Sequence, residues 1–176
     1  NDIESGGFAG RLRRWHEEIN IMNRTFNLGI PGATIDMLLD RLEVEAKPRN
    51  PGLIVLMLGF NDAARIGTPE NDTSLSLDEF REKYAQLVQR MQDIAPTIVV
   101  GNFAIDESRT NPVPWADMYF KNADLEEFAQ EMKNITLRAG VDYIDILGEW
   151  VRDEAYIDKY ISHDGVHANS VGHEYA

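Results

Sequence analysis

The sequence predicts an α/β fold with a mostly parallel sheet and helices packed against it. Two observations carry that prediction. Segments with apolar residues at helical spacing alternate with short apolar runs along the whole chain. The two clearest runs, LIVLMLG and TIVVGNFA, are too short for an ordinary helix and are bounded by Gly or Pro. A length of 176 residues fits one domain over 1–176 with a full core.

Each element follows in order. GFAGRLRRWHEEI places Phe8, Leu12, Trp15 and Ile19 at helical spacing, with charges between them. IMNRTFNLG reads as a short strand ending at Gly29. ATIDMLLDRLEVEA is a second helix with Ile35, Leu38, Leu39 and Leu42 on one face, broken by KPRNPG. LIVLMLG, 53–59, is expected to be a strand buried on both faces. SLDEFREKYAQLVQRMQDIA is a long amphipathic helix, with Ser76 and Glu79 in the spacing of a capping box. TIVVGNFA is the next buried strand. A loop rich in Pro and Asn runs from Asp106 to about Lys121. Residues 123–139 are helical, Gly140 caps them, and VDYIDI is a further strand. A short helix, the bend DGVH and a helix beginning near Asn169 complete the chain.

Composition narrows the functional classes. Lys and Arg number 17 against 30 Asp and Glu, a formal charge of −13, which repels phosphate backbones and anionic membranes. Nucleic acid is therefore not an expected partner. No apolar run approaches the ~20 residues that span a bilayer. The absence of cysteine excludes disulfides, thiolate metal sites and a Cys nucleophile. It fits a reducing compartment such as the cytoplasm. A secreted protein whose signal preceded Asn1 fits as well.

Sites on parallel sheets lie beyond the C-terminal ends of the strands. Candidate residues are therefore sought after Leu28, Leu58, Phe103 and Ile146, and three turns qualify. Acyl transfer needs a nucleophile, a base, a group that orients the base, and donors aimed at the developing oxyanion. In NLGIPGAT, Gly32 can offer a backbone N–H at close approach. In LGFND, Asn61 can offer its side-chain amide. In DGVH, His167 can act as base, with Asp164 fixing its tautomer. Each has a plainer reading. Gly29 and Gly32 fit as turn glycines, and Asp164-Gly165 is a common turn former. Asp62 fits as a cap of the following segment and is assigned no chemistry. His163 and His167 are four apart, but Gly165 between them argues against a helical metal site. His16 reads as part of a solvated helix face, and His173 as packed or solvated on the last helix. The 106–121 loop, with Pro112, Pro114, Trp115, Tyr119 and Phe120, walls an acyl pocket or covers an apolar edge. Asp106, Glu107 and Arg109 form a local ion pair.

NLGIPGAT, LGFND and DGVH, in that order and at these separations, resemble three of the four sequence blocks of the SGNH (GDSL-type) esterases and lipases. The resemblance runs through essentially the whole chain. It implies a flavodoxin-like, three-layer α/β/α fold and a serine ester hydrolase acting on a small-molecule ester, without metal or cofactor. It maps the oxyanion-hole glycine and asparagine onto Gly32 and Asn61, the acid onto Asp164 and the base onto His167. The fourth block, Gly-Asp-Ser at the end of the first strand, has no match. Ser5, in ESGG, is the nearest serine and is expected to be a turn residue. The nucleophile is expected just before Asn1. In a 2-1-3-4-5 sheet the first strand is central, and each backbone group left unpaired costs ~1–3 kcal/mol. A domain stable by only ~5–15 kcal/mol cannot absorb that. The chain is thus expected to be truncated at its start and, where a helix stops in mid-pattern, at its end. The alternatives are a non-catalytic module of the same fold that binds sugars or acyl groups, and a flavin-binding protein. The acidic surface and the lack of a long apolar lid favour a water-soluble ester, small or carbohydrate-linked.

Overall fold

The computed structural model describes residues 6–176. Ser5 therefore lies outside the described residues. Three strands form one parallel sheet: β1 (Ile54–Leu56), β3 (Thr97–Val100) and β5 (Asp142–Ile144), with β3 in the middle. The register pairs Leu56 with Val99 and Val99 with Tyr143. A second, two-stranded antiparallel sheet joins β2 (Arg65–Ile66) to β4 (Met118–Tyr119).

Side-chain alternation along the strands makes two cores. On one face, Leu56 and Val99 pack under α2 (Ile35–Ala46), α3 (Leu77–Gln92) and α4 (Asn122–Arg138), through Leu42, Phe80, Tyr84, Leu87, Leu125, Phe128 and Met132. On the other, Val100, Met57 and Phe103 pack with α5 (Ile146–Trp150) and α6 (Tyr156–Tyr160), through Ile146, Trp150 and Tyr160. The last helix, α7 (Ser170–Tyr175), lies against α6 and against α1 (Gly7–Ile19). The result is the expected α/β/α layering about a parallel sheet.

Local chemistry explains the boundaries. The Ser76 hydroxyl accepts the Glu79 N–H while Glu79 reaches back to the Ser76 N–H, which closes the capping box of α3. Gly140, at φ +69°, ends α4 and feeds β5. Asn169 caps α7 by accepting the Gly172 N–H at 3.0 Å.

Four expectations need correction. IMNRTFNLG forms no strand, because no ladder partner lies beside it among the described residues. It is held instead by the Leu28 carbonyl accepting from Arg41 and by His16 Nδ1 meeting the Thr25 hydroxyl at 3.0 Å. That contact also takes His16 off the solvated face expected for it. LIVLMLG gives a three-residue strand that is not buried on both sides: Leu53 is 50% and Val55 38% exposed, since among the described residues β1 pairs with β3 alone. The apolar stripe of α1 is not buried either, and Trp15 and Ile19 are exposed. No helix among the described residues is long and apolar enough to cross a membrane.

Candidate active site

The three motifs occupy the loops at the C-terminal side of the sheet. Ile30, Pro31, Gly32 and Ala33 make a tight turn closed by the Ala33 N–H donating to the Ile30 carbonyl at 3.1 Å. Proline followed by a glycine at φ +76° is the pattern of a type II turn. A side chain at Gly32 would meet open space, so backbone conformation rather than crowding selects glycine. The same openness leaves its N–H approachable, and among the described residues it has no hydrogen-bond acceptor.

GFND follows β1 as a single 3-10 turn at Asn61–Ala63. The Asn61 carboxamide donates to the Ala33 carbonyl at 2.9 Å. A carboxamide has two N–H donors, so this bond orients the group and leaves the second donor for another acceptor. Asp62 does not cap the segment that follows it, as expected from sequence. It accepts the Ile35 N–H at 3.1 Å and so caps α2, whose own N-cap Thr34 makes no side-chain bond. Burial pushes its carboxyl up to about 6, against the pull of the Ile35 N–H. Sequence reasoning missed this role, because the capped helix lies 27 residues upstream.

In DGVH the imidazole of His167 meets Asp164 Oδ2 at 2.9 Å through Nδ1, which leaves Nε2 as the outward nitrogen. Asp164 Oδ1 accepts from the Ser162 hydroxyl at 2.7 Å and from the Val166 and His167 N–H groups at 2.9 Å. Burial alone would raise the carboxyl; these four donors outweigh it and hold the group well below the usual carboxylate range. Asp164 is thus a fixed anion at neutral pH, and its partner imidazole is half exposed. Gly165 makes the bend possible. At φ +79°, a Cβ there would lie 2.6 Å from Arg109 Cβ and 3.1 Å from the Asp106 carbonyl.

The 106–121 loop is docked on this bend. The Asp106 N–H donates to the Gly165 carbonyl at 2.9 Å, and the Asp106 carboxylate pairs with Arg109 at 2.9 Å. Glu107 is not part of that pair and accepts the Asn122 N–H. Trp115 lies beside His167 with ring centroids 5.4 Å apart, and its indole is half exposed. The loop thus reaches the imidazole through Trp115 and closes over the core with Phe120 and Val113. Phe60, just before Asn61, touches Phe103 and Phe120 at 5.4 and 4.7 Å. This aromatic row connects the Asn61 turn to the loop that carries Trp115. His163 is exposed, and His173 sits on α7 against the start of α1, near the Phe8 N–H. Among the described residues no group of three or more His, Asp or Glu is placed to hold a metal.

Several solved structures similar in fold carry the names of esterases or lipases. A lipase/acylhydrolase from Enterococcus faecalis superposes with a TM-score of 0.75 at 18% identity, covering 96% of this chain and 79% of that one. The acetyl xylan esterase AlAXEase gives 0.75 at 20% identity, covering 97% and 86%. A catalytic mutant of the acetylxylan esterase Axe2 from Geobacillus stearothermophilus, in which a serine is replaced by alanine, gives 0.74 at 19% identity, covering 96% and 76%. No curated protein sequence matches the chain. A model of the GDSL-like lipase/acylhydrolase family matches residues 3–175. With its three motifs on one side of a parallel sheet and nearly its full length matched, the chain belongs to the GDSL-like lipase/acylhydrolase family.

Proposed function

We propose that this domain is the greater part of a serine carboxylic ester hydrolase working through an acyl-enzyme. The observation that carries the reading is the Asp164–His167 pair. A carboxylate held anionic by three further donors fixes the imidazole by Nδ1 and turns Nε2 outward. His167 is the base, Asp164 orients it, and the Gly32 N–H and Asn61 Nδ2 receive the oxyanion. Ser5 is not the nucleophile. The nucleophilic serine is instead assigned upstream of Asn1, on the strand side left open beside β1 among the described residues.

In the first half-reaction the serine hydroxyl gives its proton to His167 Nε2 as its oxygen attacks the ester carbonyl. The tetrahedral oxyanion is met by Gly32 N–H, Asn61 Nδ2 and the serine's own N–H. His167 then protonates the leaving alcohol, and collapse leaves the acyl-serine. Water repeats the sequence, giving its proton to His167 and releasing the acid. No metal or cofactor takes part.

The leaving alcohol must lie where His167 can protonate it, so whatever flanks the imidazole faces the alcohol rather than the acyl group. Trp115 is there, offering a half-exposed flat ring, and flat apolar rings accept the CH-bearing face of a sugar. That supports a carbohydrate-linked ester with a small acyl group. Two of the structural neighbours are named acetyl xylan esterases, which agrees with it.

The test uses the full-length protein. A fluorophosphonate probe should label one serine upstream of Asn1. Asn61→Ala should lower turnover of a short p-nitrophenyl ester ~10²–10³-fold, and His167→Ala at least as far, with a cooperative melt retained in both. Unchanged turnover in either variant overturns the assignment. Absence of any labelled serine favours the non-catalytic module.

A further inference from the structure

Three carboxylates are buried among the described residues: Asp62, Asp106 and Asp124. Arg109 partners Asp106, and Arg65 grips Asp124 with two bonds of 2.7 Å. Asp62, 3% exposed, touches no cation among the described residues, and its Oδ2 has no hydrogen-bond partner. A buried carboxylate left this way is costly, so its retention calls for a task.

The task is visible in what Asp62 and its neighbour hold. Asn61 takes the Ala33 carbonyl and Asp62 takes the Ile35 N–H, so two consecutive residues of one loop grip both ends of the Ala33–Ile35 segment. Gly32 directly precedes that segment. Ala33 and Ile35 are buried at 5% and 0%, which pins the grip from below. Asp62 is itself tethered, since its carbonyl accepts the Leu75 N–H at 3.1 Å. Capping alone does not require this arrangement. Thr34 stands at the N-cap of α2 with an extended backbone and could cap the helix locally, yet it makes no such bond. A cap delivered from the Asn61 turn adds something a local one cannot: it ties the loop of Gly32 to the loop of Asn61.

We infer that Asp62 is a positioning residue that holds the two oxyanion donors, Gly32 N–H and Asn61 Nδ2, in fixed register through the start of α2. The inference rests on the hydrolase reading above. Asp62 touches no substrate atom; it acts by keeping a preorganised pair of donors from drifting. Preorganisation matters to the transition state more than to the bound ester, so its loss shows in kcat and not in KM.

The experiment compares Asp62→Leu and Asp62→Ala, which delete the acceptor, with Asp62→Asn, which keeps an oxygen in place for the Ile35 N–H. In the full-length enzyme, with p-nitrophenyl acetate, the Leu and Ala variants should lose ~10-fold or more in kcat with KM within ~2-fold. Asp62→Asn should return kcat to within ~3-fold of the parent. Leu keeps the bulk of the side chain, so at least one acceptor-less variant retains a cooperative melt. A folded acceptor-less variant with parental kcat, or an Asn variant as impaired as the others, overturns the inference. These outcomes are separate from failure of the hydrolase reading, in which the parent enzyme itself turns over no ester and Asn61→Ala changes nothing.

Discussion

Asp62 and Asp164 respond to acid in opposite directions. Burial raises Asp62 from the ordinary 3.8 to about 6, while the Ile35 N–H opposes it; Asp36 raises it further and Lys83, paired with Asp36 at 2.8 Å, lowers it. A carboxyl with a raised folded pKa stabilises the fold when protonated. Its contribution is full below about 3.8, declines as pH climbs to about 6, and is gone above that. Across that window the loss amounts to about 3 kcal/mol at ~1.4 kcal/mol per unit. Asp164 is depressed, so its contribution is present above 3.8 and is lost only as pH falls through its low folded value. Asp62→Asn removes the raised group and leaves the depressed one. It should therefore gain stability over the parent at pH 7.5 relative to its standing at pH 4.5, by about 2 kcal/mol in urea unfolding, since about a third of the loss has already occurred at pH 4.5. A parent–variant difference that is the same at both pH values would remove burial as the cause.

At the scale of elements, β1 is the informative one. The Ile54 N–H donates to the Pro96 carbonyl at 2.8 Å, toward β3. Successive N–H groups of a strand point to opposite sides, so the Val55 N–H faces the side on which no strand lies among the described residues. In the 176-residue chain the Ile54 amide should be protected from hydrogen exchange and the Val55 amide should exchange orders of magnitude faster. In a protein with a strand laid against β1, Val55 should become protected as well. Equal protection of Val55 and Ile54 in the 176-residue chain would mean that the edge is already covered. This edge also shows what the sequence could convey. Elements stabilised by their own residues were legible: α3 with its capping box, α4 with Gly140, and β3 as an apolar run paired on both sides. The segment 21–29 was not, because strand pattern becomes a strand only when a neighbour completes the ladder. The β2–β4 pair escaped notice because two residues per strand carry no periodicity. Around the proposed site, the Asp164–His167 contact was legible from DGVH and the tight turn at Gly32 from Pro31-Gly32. Asp62 and Trp115 were not, since their roles depend on contacts across 27 residues and between separate loops.

For the whole molecule, charge sets the terms on which a substrate approaches. The sequence carries −13, and most of that charge lies on exposed carboxylates outside the site. The field from such a surface extends ~30 Å at 0.01 M salt and ~3 Å at 1 M. At the imidazole Asp164 is committed to His167, and on the loop docked against the bend Asp106 is paired with Arg109. Among the described residues these contacts leave no unpaired cation at the bend to draw in an anionic ester, whereas a neutral sugar ester meets no long-range barrier. Comparing a sugar acetate with the matching hemisuccinate isolates this effect, because the two present the same alcohol to Trp115 and His167. In 0.01 M salt the hemisuccinate should show kcat/KM lower by ~10-fold or more. Raising salt to ~1 M should close most of that gap while leaving the acetate nearly unchanged. A gap that persists at high salt would place the discrimination in the shape of the acyl site. A gap absent at low salt would mean that the overall charge does not reach the site at all.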